Sequence, residues 1–210
     1  SGRGQHIDIS QAEAAIHFLA PAVLEYEMNN KIWRREGNRD RRYAPHGVYP
    51  VKGQDQWIAI ACQDDMAWKK LCELAGFTAE SADPDLFTAA GRLEQSDRLD
   101  ALLAGWTCRF DGGELQADLI SSGVAAHIVQ NSPESVTDPQ LKYREHFLSV
   151  PHSSVGDFIV EGSRFRLSRT PGRPAHANPE IGEHNAHVLT EILEYDVDKM
   201  ADVFASLAMI

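Results

Sequence analysis

The chain has 210 residues, of which 43% are hydrophobic and 24% are charged, and its formal net charge at pH 7 is −11. The apolar share excludes a disordered chain, and no stretch reaches the roughly 18 uncharged apolar residues that a membrane-spanning helix needs. Because an acidic surface repels nucleic acid, binding to DNA or RNA is disfavoured. No basic segment followed by an apolar one opens the sequence, so we expect a cytoplasmic protein without a membrane partner.

Three cysteines, Cys62, Cys72 and Cys108, are scattered along the chain. Their number is odd and none belongs to a C-x-x-C pair, so neither a zinc site nor a disulfide framework is indicated. The sequence therefore predicts reduced thiols in a cytoplasmic core, and no metal site.

Charge is unevenly distributed. Residues 31–42 contain six basic side chains against Glu36 and Asp40, a local balance of +4 on an acidic chain. Such a segment suggests a small anionic ligand or an acidic partner surface. The alternative is a solvated linker whose arginines pair with nearby acids.

The first residues predict a short strand followed by a long helix. Residues 5–9 alternate in polarity, and Ser10 with Glu13 forms a capping-box pattern. The helix extends to Tyr26, and Pro21 should bend or break it. Because its apolar residues surround much of its circumference, it needs neighbours on several sides, and we expect the chain to begin partway through a larger fold.

From residue 48 to residue 129 the pattern alternates between strands and amphipathic helices, separated by caps and glycines. In chain order we predict a hairpin with strands 48–51 and 57–61, a helix capped by Asp64 or Asp65 and closed by Gly76, helices after Ser96 and Gly112, and a buried strand at 124–129 after Gly123.

The remaining residues predict shorter elements. In chain order these are a turn at Ser135, Asp138 and Pro139, strands at 147–150, 158–160 and 165–167, an extended connector at 170–179, and helices Glu183–Tyr195 and Val197–Leu207, with Asp196 capping the second. The connector is predicted because it holds three of the ten prolines and has little periodicity.

Four arrangements that could carry chemistry are weak. Gly2-Arg3-Gly4 starts a G-x-G-x-x-G pattern, but Ile7 stands where the third glycine is needed. The other three each lack a partner or fit an ordinary strand or helix: His184 with His187 as metal ligands, His6 with Asp8 as an acid–base pair, and Ser153 and Ser154 with His152 as a hydrolase set. We therefore assign no catalytic residue from these patterns.

A series of short motifs resembles family III coenzyme A transferases, the CaiB/BaiF group that includes formyl-CoA transferases. In chain order the motifs are GRGQHIDIS at 2–10, Gly37-Asn38-Arg39, APHGVYP at 44–50, WIAIA at 57–61, DPQL at 138–141, Pro171-Gly172 and IGEH at 181–184. Each motif is weak alone, but together they follow the family's order and spacing over essentially the whole chain.

The resemblance implies an enzyme that moves coenzyme A from a thioester donor to a carboxylic acid, through anhydride and thioester intermediates on one aspartate. In the family this aspartate precedes the G-R-G-Q segment. It lies in a large, doubly wound, Rossmann-like domain. The resemblance therefore implies that this chain is a C-terminal half that has no nucleophile and is inactive alone.

The implied fold is a mixed α/β small domain with flanking helices that pack on the large domain. It divides the chain into four parts: the end of the large domain at 1–36, an interdomain loop at 37–47, the small domain at 48–170, and a connector with returning C-terminal helices at 171–210.

The implied interdomain loop supplies the candidate site. In related transferases a glycine-bearing loop at this place shields the acyl intermediates from water. This chain has Asp40, Arg41, Arg42 and Tyr43 in place of a glycine run, and an arginine there could bind a carboxylate through two hydrogen bonds. The candidate substrate or active-site residues are Gly37, Asn38, Arg39, His46 and Gly47.

The resemblance also implies ligands and partners. They are an acyl-CoA thioester as substrate rather than a covalently bound cofactor, a small carboxylate, a large domain or complementary subunit, and a second copy in an interlocked homodimer. Apolar faces on residues 14–26 and 188–207 should then be exposed in the isolated chain and cause self-association.

Two alternatives stay open. The first is a noncatalytic binding or assembly module that keeps the small-domain fold. The second is part of a 2-methylacyl-CoA racemase, from the same superfamily. Racemases resemble one another in an acidic residue followed by Pro-Gln after the first long strand, whereas this chain reads CQDDMAW at 62–68, which favours a transferase.

Overall fold

A computed structural model describes residues 2–172, 174 and 177–206 of the chain. The chain divides into two compact units, residues 1–129 and residues 130–210. The family-based boundaries at 36, 47 and 170 differ from this division and stay a prediction.

The first unit contains seven helices, one 3₁₀ turn and three strands among its described residues. In chain order these are α1 (Gln11–Phe18), α2 (Ala20–Asn29), β1 (His46–Pro50), β2 (Trp57–Ala61), α3 (Asp65–Ala75), α4 (Thr78–Ala82), a 3₁₀ turn (Pro84–Leu86), α5 (Ala89–Glu94), α6 (Ser96–Thr107), α7 (Gly112–Ser121) and β3 (Ala125–Ile128).

Two helices stand where one long N-terminal helix was predicted. The Ser10 hydroxyl accepts a hydrogen bond from the Glu13 amide and caps α1. The chain breaks at Leu19, and Pro21 lies in the first turn of α2, which confirms the predicted interruption. The predicted strand at 5–9 is wrong. These residues are irregular and exposed, and no strand within the described part of the chain pairs with them to satisfy a ladder.

The predicted hairpin is confirmed, and it forms part of a three-stranded antiparallel sheet in the order β1-β2-β3. Ile58 on β2 lies opposite Tyr49 on β1 and Ile128 on β3. Residues directly opposite each other point to the same face of a sheet. One face therefore carries Tyr49, Ile58 and Ile60, and this face is buried.

The core of the first unit lies between this buried face and helices α3, α6 and α7. Its large apolar side chains include Tyr49, Ile58, Ile60, Trp68, Leu71, Leu99, Leu103, Trp106, Leu115 and Leu119. Fully burying a leucine or isoleucine side chain contributes about 1.5–3 kcal/mol, so this cluster stabilises the sheet that carries the site described below.

Helix α3 has the ends that its sequence predicts. The Asp64 side chain accepts a hydrogen bond from the Ala67 amide at 2.7 Å and caps the helix. Trp68, Leu71 and Cys72 recur at helical spacing and are buried. Gly76 adopts φ +71°, a left-handed conformation that favours glycine, and ends the helix.

Strand β3 is shorter and less buried than predicted. It covers Ala125–Ile128, and its residues alternate between exposed and half-buried. Only the face with Ala126 and Ile128 turns toward the helices, because the opposite face of the sheet is open. The prediction of a fully buried strand at 124–129 is therefore wrong.

The second unit is built around a hairpin and several short helices. Its elements are α8 (Ser132–Thr137), α9 (Pro139–Tyr143), β4 (Phe147–His152), β5 (Gly156–Glu161), α10 (Asn185–His187), a π-helical turn (Val188–Ile192) and α11 (Val197–Ala205). β4 and β5 confirm two predicted strands, and the Asp196 carboxylate caps α11 by accepting from the Lys199 amide at 2.8 Å. The turn predicted at 135–139 is instead the junction of α8 and α9, where the Asp138 side chain caps α9.

Two predictions for the second unit are wrong. Residues 165–167 are not a strand; Phe165 and Leu167 line a small hollow with Leu148 instead. The helix predicted at Glu183–Tyr195 covers only residues 185–192, because Glu194 adopts φ +51° and ends it. Leu207, the predicted end of the last helix, lies outside the described residues. Among those residues, no helix is both long and apolar enough to cross a membrane.

Candidate functional site

The open face of the first unit's sheet carries small side chains bordered by two histidines. Ala61 on β2 lies opposite His46 on β1 and Ala125 on β3, while Ala59 lies opposite Val48 and His127. All six residues share the face that the helices do not cover. The alanines keep this face shallow and accessible.

Residues 37–39 form one wall of a cleft over this face. The cleft has a volume of about 580 Å³. All five candidate residues line it, and the other lining residues are Val48, 59–61 and 125–127. The structure therefore brings together two segments, residues 37–39 and 46–47, that six intervening residues separate. Their role in binding stays a prediction.

Arg39 ties this wall to helix α6. Its Nη2 donates to Asp97 Oδ1 at 2.5 Å and to Asp100 Oδ2 at 2.7 Å, and its Nε donates to Asp100 Oδ2 at 3.1 Å. These bonds, that to Asp97 first, raise the pKa of Arg39 above its ordinary value. A carboxylate ligand could therefore reach Arg39 only in competition with two carboxylates of the chain itself.

Asp100 also connects the wall to strand β1, which lies beneath the cleft. Its Oδ1 accepts a hydrogen bond from the buried Tyr49 hydroxyl at 2.8 Å. Burial, followed by this bond to Asp100, raises the pKa of Tyr49 far above its ordinary value, so the hydroxyl stays protonated and remains a donor. A single carboxylate thus holds both β1 and Arg39.

The imidazole of His46 has a defined orientation. Its Nδ1 lies 2.5 Å from the carbonyl oxygen of Asn38, and its ring packs against the Tyr43 ring in a T-shaped arrangement with the centroids 5.4 Å apart. Since a carbonyl oxygen only accepts, Nδ1 carries the proton in this contact. In the neutral ring, Nε2 is then the acceptor.

The basic segment at 31–42 is largely paired with acids. Glu25 on α2 forms ion pairs with Lys31 at 3.3 Å and Arg41 at 3.9 Å, and Arg42 Nε contacts Asp40 at 3.1 Å. The hydrogen bond from Arg42 is the main reason that the pKa of Asp40 is lowered. These contacts agree with the interpretation of a linker whose arginines pair with nearby acids.

Sequence reasoning missed several residues of the site. His127 lies in a stretch interpreted as a buried strand, although its alternate position among apolar neighbours is the signal of a polar outer face. Asp97 and Asp100 are spaced three apart on α6, which puts both on one helix face, but nothing local connects them to Arg39. That connection depends on the packing of α6 against β1.

The described cleft residues include no carboxylate, hydroxyl, thiol or lysine side chain. The two buried thiols are unsuited to nucleophilic chemistry as well, because burial raises the pKa of Cys62 and of Cys72 to about 12. What the cleft offers is a groove of small side chains, two imidazoles, and backbone and amide groups of residues 37–39. These groups can position a ligand and donate or accept hydrogen bonds.

The weak arrangements from the sequence do not form catalytic sets. Ser154 Oγ contacts both His152 Nδ1, at 3.3 Å, and Glu180, a partner that sequence reasoning did not find. In a triad the carboxylate would orient the histidine rather than bond the serine. His6 and Asp8 do not lie on a strand. Within the described parts of the chain, no group of three or more His, Cys, Asp or Glu side chains could hold a metal ion.

The chain is similar to a known family of proteins over most of its length. The model of CoA-transferase family III matches residues 1–185. The chain belongs to CoA-transferase family III. This confirms the family and the mixed α/β fold class that the motifs predicted.

Curated family III relatives carry related names. The chain is 29% identical to a succinyl-CoA–D-citramalate CoA-transferase of Chloroflexus aurantiacus over 96% of the chain and 50% of the relative. It is 26% identical to a succinate–glutarate CoA-transferase of Agrobacterium fabrum, over 91% of the chain and 48% of the relative. It is 29% identical to a formyl-CoA:oxalate CoA-transferase of Streptomyces avermitilis, over 90% of the chain and 49% of the relative. The chain thus spans about half the length of the curated relatives it matches.

Solved structures agree with the family fold. A CaiB/BaiF family protein from Brucella suis matches with a TM-score of 0.76 and 27% identity, over 90% of this chain and 48% of that one. The Mycobacterium tuberculosis protein Rv3272 matches with a TM-score of 0.65 and 19% identity, over 86% of this chain and 46% of that one. At this identity the match shows a similar fold and nothing more.

Proposed function

We propose that this chain supplies the small-domain side of the active site in an enzyme that transfers coenzyme A from an acyl-CoA thioester to a carboxylic acid. One observation carries the proposal: in a family III chain, the five candidate residues of the segment 37–47, the predicted interdomain loop, line a single cleft over the open sheet face. Coenzyme A enters as part of a substrate rather than as a covalently bound cofactor.

The proposed role of the cleft is to hold the acyl group while the chemistry occurs on a residue outside it. Among the described lining residues, no side chain can form an acyl anhydride. The family's aspartate therefore has to come from outside this cleft, in the proposed upstream large domain. The wall at residues 37–39 would keep water from the activated acyl group, which otherwise hydrolyses.

The proposed acceptor is a short dicarboxylic acid. The relatives named above are named for D-citramalate, glutarate and oxalate, each of which has a second carboxylate. His46 and His127 border the cleft, and a protonated imidazole donates charge-assisted hydrogen bonds to carboxylates. One carboxylate would react while the imidazoles orient the other.

We further propose the domain division given by the resemblance, with residues 1–36 and 171–210 packing on a large domain, and a homodimer in the cytoplasm. The support is the exposure of apolar side chains on α1 and α2, where no residue is buried. Two relatives from Chloroflexus aurantiacus are named as alpha and beta subunits of one transferase, and the chain matches 44% of the first and 48% of the second, so these names support association between family III subunits.

The competing function is a noncatalytic binding or assembly module. The observation that favours it is that no nucleophilic side chain stands among the described residues that line the cleft. A module of this kind would bind the large domain or acyl-CoA without turnover.

The test mixes the chain with a separately expressed family III large domain that carries the aspartate. Transfer of coenzyme A from succinyl-CoA to dicarboxylates is then followed by mass spectrometry. We expect no transfer by the chain alone and transfer by the mixture. His46→Ala and His127→Ala should each lower the rate about tenfold, the value of one hydrogen bond of about 1.4 kcal/mol. Lys52→Ala, in the exposed hairpin turn, is the matched control and should leave the rate unchanged.

Two outcomes would contradict the proposal. Stable association without turnover would support the noncatalytic module. Transfer by the purified chain without added protein would place the nucleophile inside this chain.

A further inference from the structure

Arg92 on α5 is the largest fully buried side chain of the described residues, with no solvent-exposed surface. Its three nitrogens donate to three separate segments: Nε to the Ala44 carbonyl at 2.7 Å, Nη1 to the Leu86 carbonyl at 3.0 Å, and Nη2 to Asp65 Oδ1 at 2.8 Å. Its guanidinium carbon lies 5.9 Å from the centroid of the Trp68 ring. A buried charge is tolerated only when it is bonded in this way.

The bond to Ala44 brings Arg92 close to the cleft. Ala44 is buried and lies two residues before His46, and the intervening Pro45 carbonyl accepts a hydrogen bond from the Cys62 amide at 2.9 Å. These bonds hold the backbone just before His46 from two sides. The His46 ring in turn contacts the Asn38 carbonyl on the cleft wall. A chain of contacts thus runs from the buried guanidinium to the lining of the cleft.

We propose that Arg92 is a positioning residue that sets the orientation of the His46 imidazole in the cleft; the effect on acyl transfer rests on the proposed function. Only the fixed planar fork of a guanidinium can reach all three acceptors at once. A lysine would keep the charge but lose this geometry. The segment at 44–46 would then be free to shift, and the ring of His46 with it.

A purely structural role for Arg92 makes a different prediction. Loss of the hydrogen bonds of a buried guanidinium destabilises the fold in either case, so stability alone does not separate the two roles. Only the positioning role requires a change at the His46 ring. The measurement that separates the two roles is therefore the NMR signal of the His46 ring nitrogens.

The experiment records long-range proton–nitrogen NMR spectra of the chain labelled with ¹⁵N-histidine, with His46→Gln to assign the His46 signals. Wild type should show the tautomer with the proton on Nδ1. Arg92→Lys should move the ring-nitrogen shifts of His46 and mix the tautomers. The control is Thr107→Val, which removes buried hydrogen bonds to Pro50 and Leu103 at the other end of β1. It should leave the His46 signals in place.

A second variant keeps the test decisive if Arg92→Lys does not fold. The Asp65 side chain is 62% exposed, so Asp65→Asn should fold while weakening one of the three ties. It should shift the His46 signals in the same direction by a smaller amount. Unchanged His46 signals in every folded variant of Arg92 and Asp65 would overturn the proposal, as would an equal change in Thr107→Val.

The reconstituted transfer assay adds a kinetic arm. Arg92→Lys should slow transfer by up to about tenfold, the loss expected for His46→Ala, because Arg92 acts through that ring. The double variant Arg92→Lys/His46→Ala should be no slower than whichever single variant is slower, because the two act through one group. Additive losses would overturn the proposal. Absence of transfer by wild type would count against the proposed function alone, since the NMR result is obtained without turnover.

Discussion

At the scale of single residues, the cleft depends on a tight contact between β1 and α6. Gly47 is next to His46 in the cleft, and the Tyr49 ring folds back over it. A Cβ atom at position 47 would lie 2.8 Å from the Tyr49 hydroxyl oxygen and 2.9 Å from its ring carbon. Tyr49 has no easy route away, because it is buried and its hydroxyl donates to Asp100. Glycine at 47 is therefore required by the close approach of a side chain.

Gly47→Ala should lower the free energy of unfolding by about 1–3 kcal/mol, the usual effect of overpacking a rigid site. The matched control is Gly105→Ala in the interior of α6, where an added Cβ meets nothing within 4 Å. That change should raise stability by about 0.5–1 kcal/mol, because alanine is the better helix former. Urea unfolding followed by circular dichroism measures both. Equal effects of the two substitutions would contradict the contact described.

At the scale of elements, one carboxylate on α2 holds the basic segment that follows this helix. Glu25 on α2 accepts a hydrogen bond from the Trp33 indole and pairs with Lys31 and Arg41. The Arg41 guanidinium lies 4.7 Å from the centre of the Trp33 ring. These contacts are local, and they lead the chain from α2 toward the cleft wall at 37–39.

The hydrogen bond between the Trp33 indole and the Glu25 carboxylate should weaken in acid. The pKa of Glu25 lies below its ordinary value of 4.5, first because of the hydrogen bond from Trp33. A lowered pKa in the folded chain means that the stabilisation is complete above pH 4.5 and is lost as the pH falls through the folded value. The indole N–H signal of Trp33 in NMR spectra, assigned with Trp33→Phe, should therefore move toward a free indole position below that pH.

Glu25→Gln should abolish the pH dependence of the Trp33 signal, because the amide does not titrate. Glu27→Gln, an exposed neighbour on the same helix, should preserve it. A Trp33 signal that stays constant down to about pH 3 would disprove the link, provided that circular dichroism shows the chain still folded.

At the scale of the whole molecule, large apolar side chains remain exposed at both ends of the chain. Phe18 is 88% exposed and Leu24 58% on α1 and α2, and Val197 is 80% exposed on α11. A soluble monomer rarely leaves large apolar faces in water, so the apolar face of α1 and α2 and that of α11 are each expected to be covered by a partner. In the proposed enzyme that partner is the large domain or a second subunit.

The isolated chain should therefore self-associate in a concentration-dependent way, as sedimentation velocity can measure. Phe18→Glu and Leu24→Glu should each weaken association at least tenfold, since each removes an apolar contact of about 1.5–3 kcal/mol. Met66→Glu, an exposed residue of α3, is the control and should have no effect. A monodisperse monomer at all concentrations would contradict the prediction.

Patterns within about 15 residues predicted the fold best. The hairpin, α3 with its Asp64 cap and Gly76 end, and the break at Pro21 all depend on neighbours in the chain. The wrong predictions concern elements that depend on residues distant in the chain. Residues 5–9 and 165–167 alternate like strands, but alternation forms a strand only when another strand satisfies its backbone, and that partner is not encoded locally.

The amino-acid sequence by itself determined the family, the fold class and the five candidate residues of the loop, because motif order and local periodicity are properties of the chain alone. Only the tertiary structure decided that residues 37–39 and 46–47 face one cleft, that His127 borders it, and that Arg39 is engaged by Asp97 and Asp100. The physical reason is that a cleft is formed by packing. The register of three strands and the docking of α6 against β1 bring together side chains that are up to 90 residues apart in the chain.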